Sequence, residues 1–221
     1  MANLRELGVS FEHWCFACGR QNPTGLHLDF DVSKDRATAR YTGLERHQGY
    51  DGYLHGGVVT ALLDETMGWA FFQRGVWGVT GRLTIAFREP VVLGLELLVS
   101  GWIVRERSRA IETKGRLESV RDGVVLAEAD GLFLRMPAKR QAELERRYAG
   151  ATDSFAKIRD AIAAEEDERK VGREKEENER RAASPRAGGG APVSRSDSPQ
   201  ERSGAARPKA EREKQEKVTT S

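Results

Sequence analysis

The chain has 221 residues, room for one large domain or for an ordinary domain with an appendage, and its 36 basic against 34 acidic residues leave a formal net charge of only +2. So small a charge supplies no field for a dedicated nucleic-acid or anionic-membrane partner, and any basic surface must be local. With two cysteines in the whole chain no disulfide scaffold is available, and without a long apolar run or a secretory leader the protein reads as soluble and cytoplasmic.

Residues 1–25 read as an N-terminal segment carrying the loop Cys15-x-x-Cys18. Apolar alternation at Leu26, Leu28 and Phe30 predicts a first strand, and Ala37 to Tyr41 a second beyond the polar turn Ser33-Lys34-Asp35. From Gly57 to about Arg74 the pattern is that of a helix, apolar on nearly every side. Four further strands are expected over Val79–Phe87, Leu95–Val104, Ala110–Val120 and Val124–Met136, with Arg121-Asp122-Gly123 as the turn between the last two. One early helix followed by consecutive short-turn strands argues α+β with an antiparallel sheet of about six strands packed on that helix, rather than alternating βαβ units.

Composition changes at Pro137. Before it Val, Leu, Phe, Trp and Gly dominate; after it Arg, Lys, Glu and Ala take over, so the ordered domain is expected to span residues 26–137. Over residues 138–181 the apolar positions Leu144, Tyr148, Ala151, Phe155, Ile158 and Ile162 recur in steps of three and four, a stripe that predicts a charged amphipathic helical extension. It either docks on the domain or on a neighbour, or stays solvated. Gly150 and Thr152-Asp153-Ser154 are expected to interrupt it, and residues 182–221, rich in Gly, Pro, Ser and charge, to be disordered.

The chemistry concentrates at His55-Gly56-Gly57 and the helix it opens. A carboxylate within an apolar helix is costly unless it is paired or functional, which makes Asp64 and Glu65 candidates. Gly57, Thr60, Ala61, Asp64 and Gly68 share one small-residue stripe, whereas Glu65 is turned about 100° away. The stripe admits a close backbone or a ligand, so Asp64 is favoured. At the helix start, free amide groups and the dipole can polarise a carbonyl, and glycine permits close approach. Yet Gly57 and Asp64 are separated by about 10 Å along the axis. A shared site would have to draw the two from different chains.

His55 is a candidate acid or base and equally a turn and capping residue. Thr80, at a strand edge, reads from its residue type as an ordinary β former. Glu65 has the alternative of pairing with Arg82 or Arg88. Trp69, Phe71 and Phe72 belong mostly to the core, where one or two of them could line a ligand tunnel. Arg88, Arg105, Arg107 and Arg109 lie near strand ends, where they could hold phosphates. Cys15-x-x-Cys18 offers two of zinc's four ligands and would need His13 or His27 to complete a site, so no metal site is expected. A thioredoxin-like redox use lacks its βαβ setting.

These residues resemble the PaaI-like branch of the hotdog-fold acyl-CoA thioesterases. The resemblance rests on His55-Gly56-Gly57 with Asp64, on the run Val79-Thr80-Gly81-Arg82-Leu83-Thr84-Ile85-Ala86-Phe87-Arg88-Glu89-Pro90, and on Cys15-Phe16-Ala17-Cys18-Gly19 with Asn22-Pro23 and Gly25-Leu26. It implies a hotdog fold, a homodimer or dimer of dimers, and hydrolysis of acyl-CoA with no cofactor beyond the substrate's own CoA. By the same resemblance the Gly57 amide of one chain polarises the thioester carbonyl and Asp64 of the other serves as general base or nucleophile. Thr80 then helps to place water, His55 organises the loop, and Gly56, Thr60, Trp69 and Arg88 contact substrate. The alternatives are a non-catalytic acyl-CoA-binding hotdog protein, a hotdog hydratase or dehydratase, and a scaffold or nucleic-acid partner acting through the tail.

Overall fold

The computed structural model describes residues 1–148 and 153–183. The expected break at Gly150 and Thr152 and the tail from residue 184 onward lie outside the described residues.

Seven strands among the described residues form one antiparallel sheet. They are β1 (Ala2–Asn3), β2 (Asp31–Ser33), β3 (Arg36–Thr42), β4 (Gly78–Phe87), β5 (Glu96–Glu106), β6 (Ala110–Ser119) and β7 (Val125–Arg135), in the order β1-β2-β3-β5-β6-β7-β4. Two of the seven are not among the expected six: β1, two residues long and pairing Ala2 with Val32, and β2, three residues at the start of the expected turn. The alternating segment Leu26 to Phe30 joins no ladder. Its amides turn to the N-terminal loop instead, Leu26 N–H to the Phe16 carbonyl and Leu28 N–H to that of Ala17. Its side chains nonetheless point inward, with Leu26, Leu28 and Phe30 all buried. Period-two alternation reports a buried face, and an extended segment can have one without strand partners.

Helix α1 (Gly56–Phe72) crosses the inner face of the sheet. It buries Val58, Val59, Leu62, Leu63, Met67, Ala70 and Phe71 against inward residues such as Ala39, Leu97, Val99, Ile111, Leu117 and Phe133. Close approach is possible because the sheet beneath it is lined with glycine. A Cβ on Gly101 would lie 2.7 Å from the Met67 backbone, and one on its cross-strand partner Gly115 would lie 3.0 Å from the Met67 sulfur. At the helix end, Gln73 Nε2 donates to the Ser33 and Lys34 carbonyls at 2.8 and 3.1 Å, pinning α1 to the β2–β3 turn.

The helix is covered on three sides and open on the fourth. Gly57 is exposed, while Thr60, Ala61, Asp64 and Gly68 are only partly buried. This is the small-residue stripe. Strand β4, an edge of the sheet bonded only to β7, is exposed along most of its ten residues.

Beyond Pro137 the chain forms α2 (Ala138–Arg147) and α3 (Ser154–Ala183). Phe155, Ile158 and Ile162 of α3 are buried in the same core as Leu4, Phe11 and Trp69, with Phe155 edge-on to Phe72 at 5.1 Å. The N-terminal ammonium pairs with Glu165 of this helix at 2.8 Å. The change in composition at Pro137 therefore does not mark the end of the core. A helix that is charged overall docks through three apolar positions on one face.

Candidate active site

Asp64 sits midway along α1 on its open stripe. The Thr80 hydroxyl, carried by β4, donates to Asp64 Oδ1 at 2.7 Å. Burial raises the Asp64 carboxyl above the ordinary carboxylate range, and the Thr80 hydrogen bond partly offsets this by favouring the charged form. The β-bulge between Thr80 and Arg82 re-aims β4 at this point.

Both residues open on a cavity of about 450 Å³ lined on its apolar side by Trp69, Phe71, Phe72, Trp77, Phe133 and Tyr148. Leu144 of helix α2 and Tyr148 at its C-cap line it as well. This contribution was not foreseen as part of the pocket. The only sequence signal for it was the apolar stripe that begins at Leu144, which can equally dock elsewhere.

The start of α1 lies on different ground. Gly56 lines a second cavity, of about 600 Å³, together with Tyr50, Tyr53, Phe87, Arg88 and Pro90. His55 is the N-cap, and its Nδ1 accepts the Gly57 amide at 2.8 Å. The Thr60 hydroxyl donates to the Gly56 carbonyl at 2.9 Å. Arg88 is paired with Glu128 at 3.0 Å, and Arg107 with Glu112 at 3.0 Å. Within one chain, then, the structure brings Asp64, Thr80, Glu65 and Trp69 together and leaves His55, Gly56, Gly57, Thr60 and Arg88 at the other end of the helix.

Glu65 does not pair with Arg82 or Arg88. It faces the N-terminal loop, where Cys15 Sγ is 3.9 Å from both of its oxygens and the Trp69 indole N–H donates to Oε1 at 3.2 Å. Burial, reinforced by the charge of Cys15, pushes the Glu65 carboxyl up to about 7. Cys15 is pulled down to about 5, chiefly by a hydrogen bond from the Cys18 thiol and further by the backbone amides of Cys18 and Ala17. Cys18 is pushed up by the same contact, by burial and by Glu65. The sequence places Cys15 and Glu65 in unrelated segments, so no local signal announces their meeting.

Comparison with known proteins agrees with this architecture. The sequence profile of the thioesterase superfamily matches residues 51–126, from the loop before α1 to the start of β7. The mouse acyl-coenzyme A thioesterase THEM4 is 24% identical over 135 residues, covering 61% of this chain and 53% of that protein. Its Xenopus laevis counterpart is 22% identical over 134 residues, covering 61% and 54%. The chain thus spans about half the length of the curated relatives it matches. Among solved structures, the thioesterase superfamily protein RHA08564 superposes with a TM-score of 0.52 at 28% identity, over 55% of this chain and 60% of that one. Zebra fish thioesterase superfamily member 2 superposes with a TM-score of 0.52 at 16% identity, over 61% and 98%, a likeness of fold. With the antiparallel sheet, the long helix α1 against it and the profile match over residues 51–126, the chain has the hotdog fold and over that stretch is similar to the thioesterase superfamily.

Proposed function

We propose that this protein hydrolyses acyl-CoA thioesters to the free acid and CoA, in a homodimer whose sites each take Asp64 and Thr80 from one chain and the start of α1 from the other. One observation carries the reading: a desolvated carboxylate, held by Thr80 at 2.7 Å, lines an aromatic cavity that excludes the start of its own helix. Carbonyl-polarising amides complement a carboxylate in acyl transfer, and in this reading a second copy supplies them. The open stripe of α1 and the exposed β4 edge are the surfaces across which it would do so.

In this reading Asp64 removes a proton from water as the oxygen attacks the thioester carbon. Charge passes to the carbonyl oxygen facing the helix start, the C–S bond breaks, and the departing CoA thiolate takes up the proton. Direct attack by Asp64, giving a mixed anhydride that water then opens, balances equally well. Label found in the Asp64 carboxyl after a single turnover in heavy-oxygen water identifies the second route, since water that opens the anhydride at the Asp64 carbonyl leaves its oxygen there and the first route never does. The Gly57 amide is engaged by His55 Nδ1, so receiving the carbonyl requires His55 to yield that bond. Trp69 and its aromatic neighbours favour a medium or aromatic acyl group over a very long one.

That engaged amide is the observation favouring the second reading, an acyl-CoA-binding protein without turnover. Thiol release measured over a panel of acyl-CoAs decides between them. Hydrolysis by the wild type that is lost in Asp64→Asn supports the enzyme, and tight binding of acyl-CoA with no release by either protein supports the binder.

A further inference from the structure

The loop before β2 is wound tightly around a pair of thiols. Gly19 N–H donates to the Cys15 carbonyl at 3.0 Å, and a Cβ at Gly19 would fall 2.2 Å from the His13 carbonyl oxygen. Only glycine permits a turn that close. The same loop is tied to the segment that follows it, Leu26 N–H donating to the Phe16 carbonyl and Leu28 N–H to that of Ala17.

The third member of the group comes from α1. The ligand-type atoms of Cys15, Cys18 and Glu65 all lie within 4.8 Å of one another, and the Cys15 sulfur is 3.9 Å from both Glu65 oxygens. Around a tetrahedral zinc ion, bond lengths of about 2.3 Å to sulfur and 2.0–2.2 Å to oxygen place neighbouring ligand atoms about 3.5–3.8 Å apart. The three groups are therefore within a short side-chain adjustment of a closed face. The Trp69 indole already orients the carboxylate from outside, as an outer partner of a metal ligand does.

Neither histidine expected for such a site takes part. His13 Nδ1 accepts the Cys15 amide at 3.3 Å, and His27 Nε2 lies 2.7 Å from the Asn22 carbonyl oxygen. No lysine or arginine among the described residues forms an ion pair with Glu65. Three groups that each carry negative charge when they ligate thus converge where a cation would balance them. We propose that Cys15, Cys18 and Glu65 bind a thiophilic divalent cation, zinc, which fastens the N-terminal loop to α1 at the wall of the aromatic cavity. All three line that cavity, so the fourth position of a tetrahedral ion opens toward it.

The proposal is independent of the hydrolytic reading and is tested without an activity assay. The full chain, purified under reductant and without chelator, is analysed for metal by mass spectrometry. About one zinc per chain is expected, falling below about a tenth of that in Cys15→Ser/Cys18→Ser and markedly in Glu65→Gln. Because the double variant also loses the packing of two thiols, the wild type is stripped and refilled as a second measurement. Zinc should raise its melting temperature, and cobalt should give thiolate-to-metal charge-transfer absorption in the near ultraviolet. Zinc retained by the double variant overturns the assignment. So does a wild type that holds no metal and gives neither the melting shift nor the cobalt bands, including one whose two cysteines are found joined as a disulfide.

Discussion

Asp64 and Thr80 are the residues on which the chemistry is expected to turn. Asp64→Asn keeps the shape and can still accept the Thr80 hydroxyl, so the fold should persist while the proton acceptor is lost. A fall in kcat/KM of about 10²–10⁴ is expected, with an unchanged melting temperature. Thr80→Val removes one hydrogen bond to a charged acceptor and should cost about ten- to a hundredfold. Steady-state kinetics across the two variants would test the order, and Thr80→Val proving as damaging as Asp64→Asn would mean that Thr80 does more than orient. Glu65, its neighbour in sequence, was separable from Asp64 by the rotation of one residue along the helix. What Glu65 meets was not, because Cys15 lies 50 residues away.

At the scale of the elements, contact between α1 and the sheet depends on the absence of side chains below Met67. Gly101 and Gly115 face one another across β5 and β6, yet an added methyl meets different obstacles. At Gly101 it would press on the backbone of Thr66 and Met67, which cannot move without shifting the helix; at Gly115 it would press on the end of the flexible Met67 side chain and on Leu63. Gly101→Ala should therefore destabilise by about 1–3 kcal/mol or more, and Gly115→Ala by distinctly less, measured by urea unfolding. Equal costs at the two positions would show that Met67 is as fixed as the helix backbone. The turn at Arg121-Asp122-Gly123 illustrates the opposite case, a local signal read directly: Gly123 has φ +71, and its amide donates to the Ser119 carbonyl at 2.9 Å.

Over the whole molecule, two surfaces are open to test, the one across which the proposed shared site would form and the seat of α3. Mixing Asp64→Asn with Gly57→Val, whose side chain would crowd His55 Nδ1, should restore activity that neither variant shows by itself, since one of the two hybrid sites keeps both intact halves. No recovery under conditions where heterodimers are demonstrated would count against a site shared between chains. The second surface is the seat of α3. Truncation after Arg147 removes Phe155, Ile158 and Ile162 and uncovers the aromatic cluster at Phe72. At about 1.5–3 kcal/mol for each fully buried side chain, less the entropy of ordering the helix, the loss should amount to several kcal/mol. Differential scanning calorimetry should show a clear fall in melting temperature, and an unchanged melt would make the docking of α3 energetically idle.

What the sequence by itself determined are features written in short intervals: the helix from its apolar pattern, five of the strands from alternation, the capped glycine turn at His55, and the stripe that carries Asp64 apart from Glu65. Each depends on neighbours within a few residues, where backbone geometry sets the period. Only the tertiary structure decided which distant groups share a space. It turned Leu26–Phe30 toward the N-terminal loop instead of into the sheet, set α3 on the core despite its charge, and brought Leu144 of α2 to the cavity wall. It also brought Glu65 to Cys15 and Cys18. Those outcomes follow from burial and close packing among segments far apart in the chain, and spacing along the chain carries no information about such encounters.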